Sequence, residues 1–196
     1  MQVRFRLYPY GMELGKMKRI LWRIGGYGMP EVPDLTMIRH LKSKGRYQEA
    51  RDQLAAWLEA DGDNPRLVLE MAFTLDNLGD EGTAIGYYER AFALGLDVSL
   101  RADAYIGLGS SLKVVGRTWQ SRKVLEDGLE EFPHHPGMRI FYAFTLFQDG
   151  NPADAFRQVL DVAIREVTHT EFTPYRKSIQ YYRDHLTESW PMTPRQ

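Results

Sequence analysis

The sequence of 196 residues contains no cysteine. Disulfide bonds, thiolate metal sites and cysteine nucleophiles are therefore excluded. No uncharged apolar stretch approaches the ~20 residues of a membrane span, and no apolar run follows the basic start as a signal peptide would require. We therefore expect no membrane partner and a cytoplasmic location. Neither sign of charge dominates, because 25 Lys and Arg stand against 26 Asp and Glu. Apolar residues make up 43%, which is enough to build a core and excludes disorder throughout.

Charge is nevertheless uneven along the chain. Residues 1–30 carry six basic side chains and one acidic side chain, and residues 25–33 contain three Gly and two Pro. We predict a flexible basic leader over 1–30 that ends in a linker. Contact with nucleic acid through this leader is the alternative. It is less favoured, because no helical stripe places the basic residues on one face.

A repeat is marked by four glycines spaced 34, 37 and 34 residues apart. The spacing of 37 is one period plus three residues near Ser99–Arg101. Small residues recur in register with these glycines, five positions after each and, in three of the four units, seven positions before. The glycines are Gly45, Gly79, Gly116 and Gly150; the later positions are Ala50, Ala84, Ser121 and Ala155, and the earlier ones are Ile38, Ala72, Gly109 and Ala143.

Each unit is predicted to contain two helices separated by a turn at the glycine. In the second unit Asn64 is a candidate N-cap and Pro65 suits the first helical position, where a missing N–H costs nothing. Gly79 ends that helix, because glycine tolerates the left-handed conformation common at helix ends. Small residues at Ala72 and Ala84 let the two helices cross closely. Asn151 and Pro152 give the same cap and first-turn signals in the fourth unit.

A 34-residue helix–turn–helix unit with small residues at these offsets resembles the tetratricopeptide repeat (TPR) family. The matches in the third unit are Tyr105, Leu108, Gly109, Leu112, Gly116, Ser121, Leu125 and Pro133, and those in the second are Leu78, Gly79, Ala84, Tyr88 and Ala91. Residues 70–186 also look like small stand-alone bacterial TPR proteins. The resemblance implies an all-α TPR solenoid, and the opening helix at 34–44 is its weakest match. Its predicted parts are four repeats (31–64, 65–98, 102–135 and 136–169), a capping helix (174–187) and a loose tail (188–196).

The capping helix is predicted from Thr173 and Pro174, which together form a cap and a first-turn proline. Its apolar stripe consists of Tyr175, Ile179, Tyr182 and Leu186. A terminal repeat needs such a lid, because its apolar face has no further neighbour.

No constellation of residues indicates catalysis. Gly107 and Gly109, before Lys113, superficially suggest a phosphate loop, but they fall inside a predicted helix where the repeat requires small residues. His134 and His135 adjoin each other in a predicted turn and lack the spaced partners that zinc requires. We therefore predict a non-enzymatic protein with no catalytic residue, no metal site, no cofactor and no small-molecule substrate.

The resemblance implies a concave groove lined by the first helix of each pair. Three phenylalanines on it offer apolar area to a partner, and polar side chains around them could bind a backbone or an acidic side chain. The alternative is that the phenylalanines pack against the neighbouring repeat; Phe147, a turn later than Phe144, is the one expected to be exposed. The candidate groove residues are Arg39, Lys42, Phe73, Asn77, Lys113, Phe144, Phe147 and Gln148.

Three functions are compatible with the sequence. The leading hypothesis is an interaction module that binds a peptide or protein in the groove. The second is a self-associating structural or scaffold protein, a homo-oligomer joined through Tyr175, Tyr181 and Tyr182. The third is an accessory protein that touches nucleic acid through residues 1–30, where contacts would be strongly dependent on salt.

Overall fold

The computed structural model describes residues 34–187. The predicted leader (1–30) and tail (188–196) lie outside these residues. Within them the secondary structure is entirely helical, without a strand, as the sequence predicts. No helix between 34 and 187 combines the length and the apolar character that crossing a membrane requires. The chain divides into two compact units between Asp63 and Asn64.

The smaller unit contains one helix pair, α1 (Thr36–Ser43) and α2 (Tyr47–Ala60). Gly45 lies between them with a φ of +70°, a conformation that glycine adopts without strain. Ile38 on α1 and Leu54 on α2 are fully buried. Helix α1 has only eight residues and is shorter than the predicted 34–44.

The larger unit contains three further pairs and a C-terminal helix. The pairs are α3 (Pro65–Asn77) with α4 (Glu81–Leu94), α5 (Val98–Val114) with α6 (Thr118–Glu131), and α7 (Pro136–Gln148) with α8 (Pro152–Glu166). A 3₁₀ turn (Thr173–Tyr175) leads into α9 (Arg176–Asp184). Within this unit α4 packs on α5 and α6 packs on α7, and the first helices α3, α5 and α7 are also neighbours in that order.

Helix boundaries follow local side chains. Asn64 Oδ1 accepts hydrogen bonds from Arg66 N at 3.1 Å and Leu67 N at 3.2 Å, which confirms the predicted cap. His135 does the same at the start of α7, where its Nδ1 accepts from Met138 N at 3.1 Å. The sequence did not predict that role, because histidine is not a preferred cap. Asn151 and Pro152 occupy the predicted N-cap and first positions of α8, but the Asn151 side chain does not cap the helix, because its amide donates to the Asp149 carbonyl at 3.1 Å.

The three extra residues of the 37-residue spacing lengthen helix α5. This helix has 17 residues, whereas α3 and α7 have 13 each. The insertion is therefore absorbed as about one additional turn at the start of α5. Arg101 fixes this turn, because its guanidinium donates to the Leu96 carbonyl at 3.1 Å and to Glu131 at 3.0 Å.

Small residues mark the places where helices approach closely. Ala72 and Ala84 are fully buried. A Cβ added at Gly109 would lie 2.6 Å from Leu125 Cγ, closer than real contacts allow. Ser121 also donates to the Gly109 carbonyl at 2.7 Å, so its hydroxyl is satisfied although it is buried. The steric role predicted for this small-residue register is confirmed.

The C-terminal helix differs from its prediction. Helix α9 is shorter than 174–187: Thr173–Tyr175 before it form the 3₁₀ turn, and no side chain caps that turn. No residue of α9 is fully buried. Of the predicted apolar stripe, Ile179 and Leu186 are half-buried, whereas Tyr175 and Tyr182 are 64% and 55% exposed. A polar contact also joins α9 to α8, since Arg183 donates to Asp161 at 2.7 Å.

Candidate functional site

The neighbouring first helices α3, α5 and α7 carry a shallow pocket of about 380 Å³. We call the surface of these three helices around the pocket the first-helix face. Nine residues line the pocket: Phe73, Asp76 and Asn77 of α3; Asp103, Ile106, Gly107 and Ser110 of α5; Phe141 of α7; and Tyr88, which reaches it from α4.

A hydrogen-bonded carboxylate lies at the base of this pocket. The Tyr88 hydroxyl donates to Asp76 Oδ2 at 2.5 Å, and the Ser111 hydroxyl donates to Asp76 Oδ1 at 2.6 Å. Asp76 thus joins α3 to its own partner helix α4 and to the next first helix α5. This network fixes the positions of three helices at the point where the pocket opens.

Burial determines the ionisation of the groups at the base of the pocket. Burial raises the pKa of Asp76, and the hydrogen bonds from Ser111 and Tyr88 oppose that rise because they stabilise the carboxylate. Burial, followed by the hydrogen bond to Asp76, raises the pKa of Tyr88 far above its ordinary value. Tyr88 therefore stays a neutral hydrogen-bond donor over the whole physiological range.

Gly107 makes room for the Tyr88 ring. A Cβ on residue 107 would lie 2.5 Å from Tyr88 Cζ, so only glycine allows the ring to pass over the helix backbone. Gly107 lies inside α5, as the sequence predicts. In the sequence Gly107 is only one small residue within a helix. Its importance depends on Tyr88, which lies 19 positions earlier.

Two predicted groove residues, Phe73 and Asn77, line the pocket. Phe73 is half-buried and meets the Tyr88 ring edge-on, with centroids 5.6 Å apart. The Asn77 side chain donates its Nδ2 to the Phe73 carbonyl at 2.7 Å. Both residues therefore combine a structural contact with a position at the surface of the pocket.

Four more predicted residues continue the first-helix face beyond the pocket. The Phe141 ring meets the Phe144 ring edge-on at 6.1 Å, and Lys113 Nζ lies 5.8 Å from the Phe144 centroid. Phe144 is 53% exposed and Phe147 is 68% exposed, so the alternative that they pack in the core is wrong. Gln148 is exposed at the end of α7.

The remaining two predicted residues, Arg39 and Lys42, lie on α1 in the smaller unit. Arg39 is exposed and Lys42 is half-buried. Neither residue is among the nine that line the pocket of the larger unit.

The described residues offer no metal centre. Between 34 and 187, no three His, Asp or Glu side chains come together as ligands. His134 lies beside Arg165, and His135 caps α7. A second, smaller depression of about 210 Å³ is lined only by Trp119, Arg122, Lys123 and Glu126, which all belong to α6.

Stacked helix pairs with glycine turns at a 34-residue period define the class of helical repeat proteins. The family model described as "Tetratrico peptide repeat" matches residues 65–186, and the chain belongs to that family. The predicted resemblance is therefore confirmed, although the match begins after the first helix pair. The family is generally a non-enzymatic protein-interaction repeat.

Solved structures show the same fold at low sequence identity. MamA (41-end) from Desulfovibrio magneticus RS-1 is 16% identical, with a TM-score of 0.57 over 78% of this chain and 94% of its own. YrrB, described as a TPR protein with an unusual peptide-binding site, is 15% identical, with a TM-score of 0.59 over 87% of this chain and 84% of its own. A search of curated proteins found no match.

Proposed function

We propose that this protein is a non-enzymatic interaction module that binds a peptide or protein segment on its first-helix face. The single observation that carries the proposal is the exposure of Phe144 and Phe147 beside the pocket. Exposed aromatic side chains next to a concave site are typical of binding surfaces, because they supply large contact area at little conformational cost.

The arrangement of these side chains supports a linear ligand. The pocket is lined by residues of α3, α5 and α7, and Phe144 of α7 lies beside the lining residue Phe141. An extended segment could therefore contact all three helices in turn. The peptide-binding site for which YrrB is described is a precedent on the same fold. Lys113, beside Phe144, adds a charge that could bind the backbone or an acidic side chain of the ligand.

Affinity capture from cells of the source organism tests this function. The full chain is compared with the double variant Phe144→Ser, Phe147→Ser and with the control Phe156→Ser, whose phenylalanine is 51% exposed on the second helix α8. We expect a partner that the wild type and the control retain and the double variant loses. Recovery of no specific partner, or equal recovery by all three proteins, would overturn the proposal.

Self-association is a second candidate, favoured by the tyrosines of α9 and of the 3₁₀ turn before it. Tyr175, Tyr181 and Tyr182 are each at least half exposed. Light scattering over a concentration series separates this function from the first. A mass that rises with concentration, and that Tyr175→Ser with Tyr182→Ser reduces to that of a monomer, supports it; a constant monomer mass excludes it.

A further inference from the structure

The charged side chains that line the pocket on the first-helix face are all negative. Its only charged lining residues are two carboxylates, Asp76 and Asp103, and no lysine, arginine or histidine is among the nine residues that line it. Asn77 donates one of its two side-chain N–H groups to the Phe73 carbonyl, and its Oδ1 can accept from a ligand. Because both charged lining residues are carboxylates, the pocket favours a ligand that carries positive charge and donates hydrogen bonds.

The two carboxylates differ in their surroundings. Both oxygens of Asp76 already accept a hydrogen bond, and each retains a second lone pair. Asp103 is exposed on the first turns of α5, and its carboxylate forms no hydrogen bond or ion pair with any other residue between 34 and 187. Asp103 is thus the carboxylate that can move toward a ligand, while Asp76 is held at the base.

The walls of the pocket favour a flat, weakly hydrated group. Phe73 and Phe141 present rings and Ile106 presents aliphatic surface on the sides. A guanidinium group stacks on aromatic faces and forms paired hydrogen bonds with a carboxylate, whereas an ammonium group is compact and more strongly hydrated. The long apolar stem of an arginine would lie against the same walls.

We propose that this pocket holds an arginine side chain of the bound segment, with the guanidinium between Asp103 and the base of the pocket and the stem against Phe73 and Phe141. This inference rests on the proposed function and adds the chemical class of the partner: a basic segment rather than an acidic or a wholly apolar one. Lysine would enter the same pocket with lower affinity, because it cannot stack or bond to a carboxylate in pairs.

A selection experiment with the full chain tests the occupant. Short random peptides displayed on phage are selected on the wild type, on Asp103→Asn and on Glu89→Gln. Glu89 is an exposed carboxylate on the second helix α4, so this variant changes the net charge by the same amount away from the pocket. We expect arginine to be enriched at one position in the peptides selected by the wild type and by Glu89→Gln, and much less so with Asp103→Asn.

Calorimetric titration of one selected peptide then measures the pocket directly. Replacing its enriched arginine by citrulline, which is uncharged and has nearly the same shape, should weaken binding to the wild type about tenfold or more. With Asp103→Asn the same replacement should have a much smaller effect, since the variant has lost the charge that distinguishes the two side chains.

The outcomes separate this inference from the proposed function. Peptides that require Phe144 and Phe147 but show no arginine preference would overturn the arginine pocket and leave the interaction module standing. Enrichment of acidic or wholly apolar peptides, or equal binding of the arginine and citrulline peptides, would also overturn it. Failure to select any peptide, or binding only of a second copy of the chain, would count against both.

Discussion

The Tyr88 ring crosses the backbone of Gly107 so closely that a Cβ on residue 107 would lie 2.5 Å from the ring carbon Cζ. This approach lets a side chain of α4 reach between two first helices and donate to Asp76. The stability of the repeat stack and the shape of the candidate pocket therefore depend on the same pair of residues.

Gly107→Ala is expected to destabilise the protein. The added methyl group must displace a fully buried ring, and overpacking of this kind costs about 1–3 kcal/mol, offset by the roughly 0.5–1 kcal/mol that alanine gains over glycine in a helix. Gly86→Ala is the matched control, because Gly86 lies inside α4 with no neighbouring atom within 4 Å of the new Cβ. Denaturant titration should show a lower free energy of unfolding for the first variant and a higher one for the second. Equal effects of the two substitutions would contradict the steric role of Gly107.

Tyr88→Phe is expected to lower the free energy of unfolding by about 1.5–3 kcal/mol, the usual range for a hydrogen bond to a charged group. It should also raise the pKa of Asp76, since the lost hydrogen bond stabilised the carboxylate. Nuclear magnetic resonance of the Asp76 side chain over a pH series measures that shift. Tyr175→Phe, at a 64% exposed tyrosine, should change neither quantity. An unaltered Asp76 pKa in Tyr88→Phe would disprove the coupling.

Alkaline conditions should remove a contribution of Tyr142 to stability. Burial, and then the hydrogen bond to Glu126 at 2.7 Å, raise the pKa of Tyr142 to about 12 from the ordinary 10.0. As the pH rises, the Tyr142 hydroxyl ionises earlier in the unfolded chain than in the folded protein. Its contribution to stability is therefore complete below pH 10.0 and disappears as the pH rises to about 12. We expect the stability difference between wild type and Tyr142→Phe, measured by denaturant titration, to shrink over that interval. A difference that stays constant would contradict the raised pKa.

Arg183→Gln is expected to loosen α9. The substitution removes a contact with Asp161 that joins α9 to α8, and no residue of α9 is buried to compensate. Hydrogen exchange should become several-fold faster for the amides of 176–184 and remain unchanged in α7. Arg157→Gln serves as the control, because Arg157 pairs with Asp154 within α8 itself. The role of the Arg183 contact would be refuted if both variants accelerated exchange in α9 equally.

Much of the fold could be predicted from the sequence because the signals are local or periodic. The turn glycines, the Asn64 cap and the small residues at 34-residue spacing each act through their own backbone or a fixed helix crossing. The prediction was only partly right for α9: the helix is present, but of its predicted apolar stripe Ile179 and Leu186 are only half-buried. Tyr175 and Tyr182 are exposed. The ion pair between Arg183 and Asp161 holds the helix, and no periodicity in the sequence indicates that pair.

The candidate site was predicted only in part. The first-helix positions of Phe144 and Phe147 follow from the helical period, and their exposure agrees with a binding surface. Asp76, Tyr88 and Gly107 come together from three helices, and no spacing within one helix indicates that contact. The sequence therefore did not predict the charge of the pocket, although it contains each acidic residue.

The sequence by itself determined the repeat, because a glycine that must turn and a small residue that must allow close crossing restrict the chain wherever they occur. Only the tertiary structure decided which side chains share the pocket and which remain exposed. Those properties arise from the distances between helices far apart in the chain, such as the approach of Tyr88 to Gly107 and its hydrogen bond to Asp76.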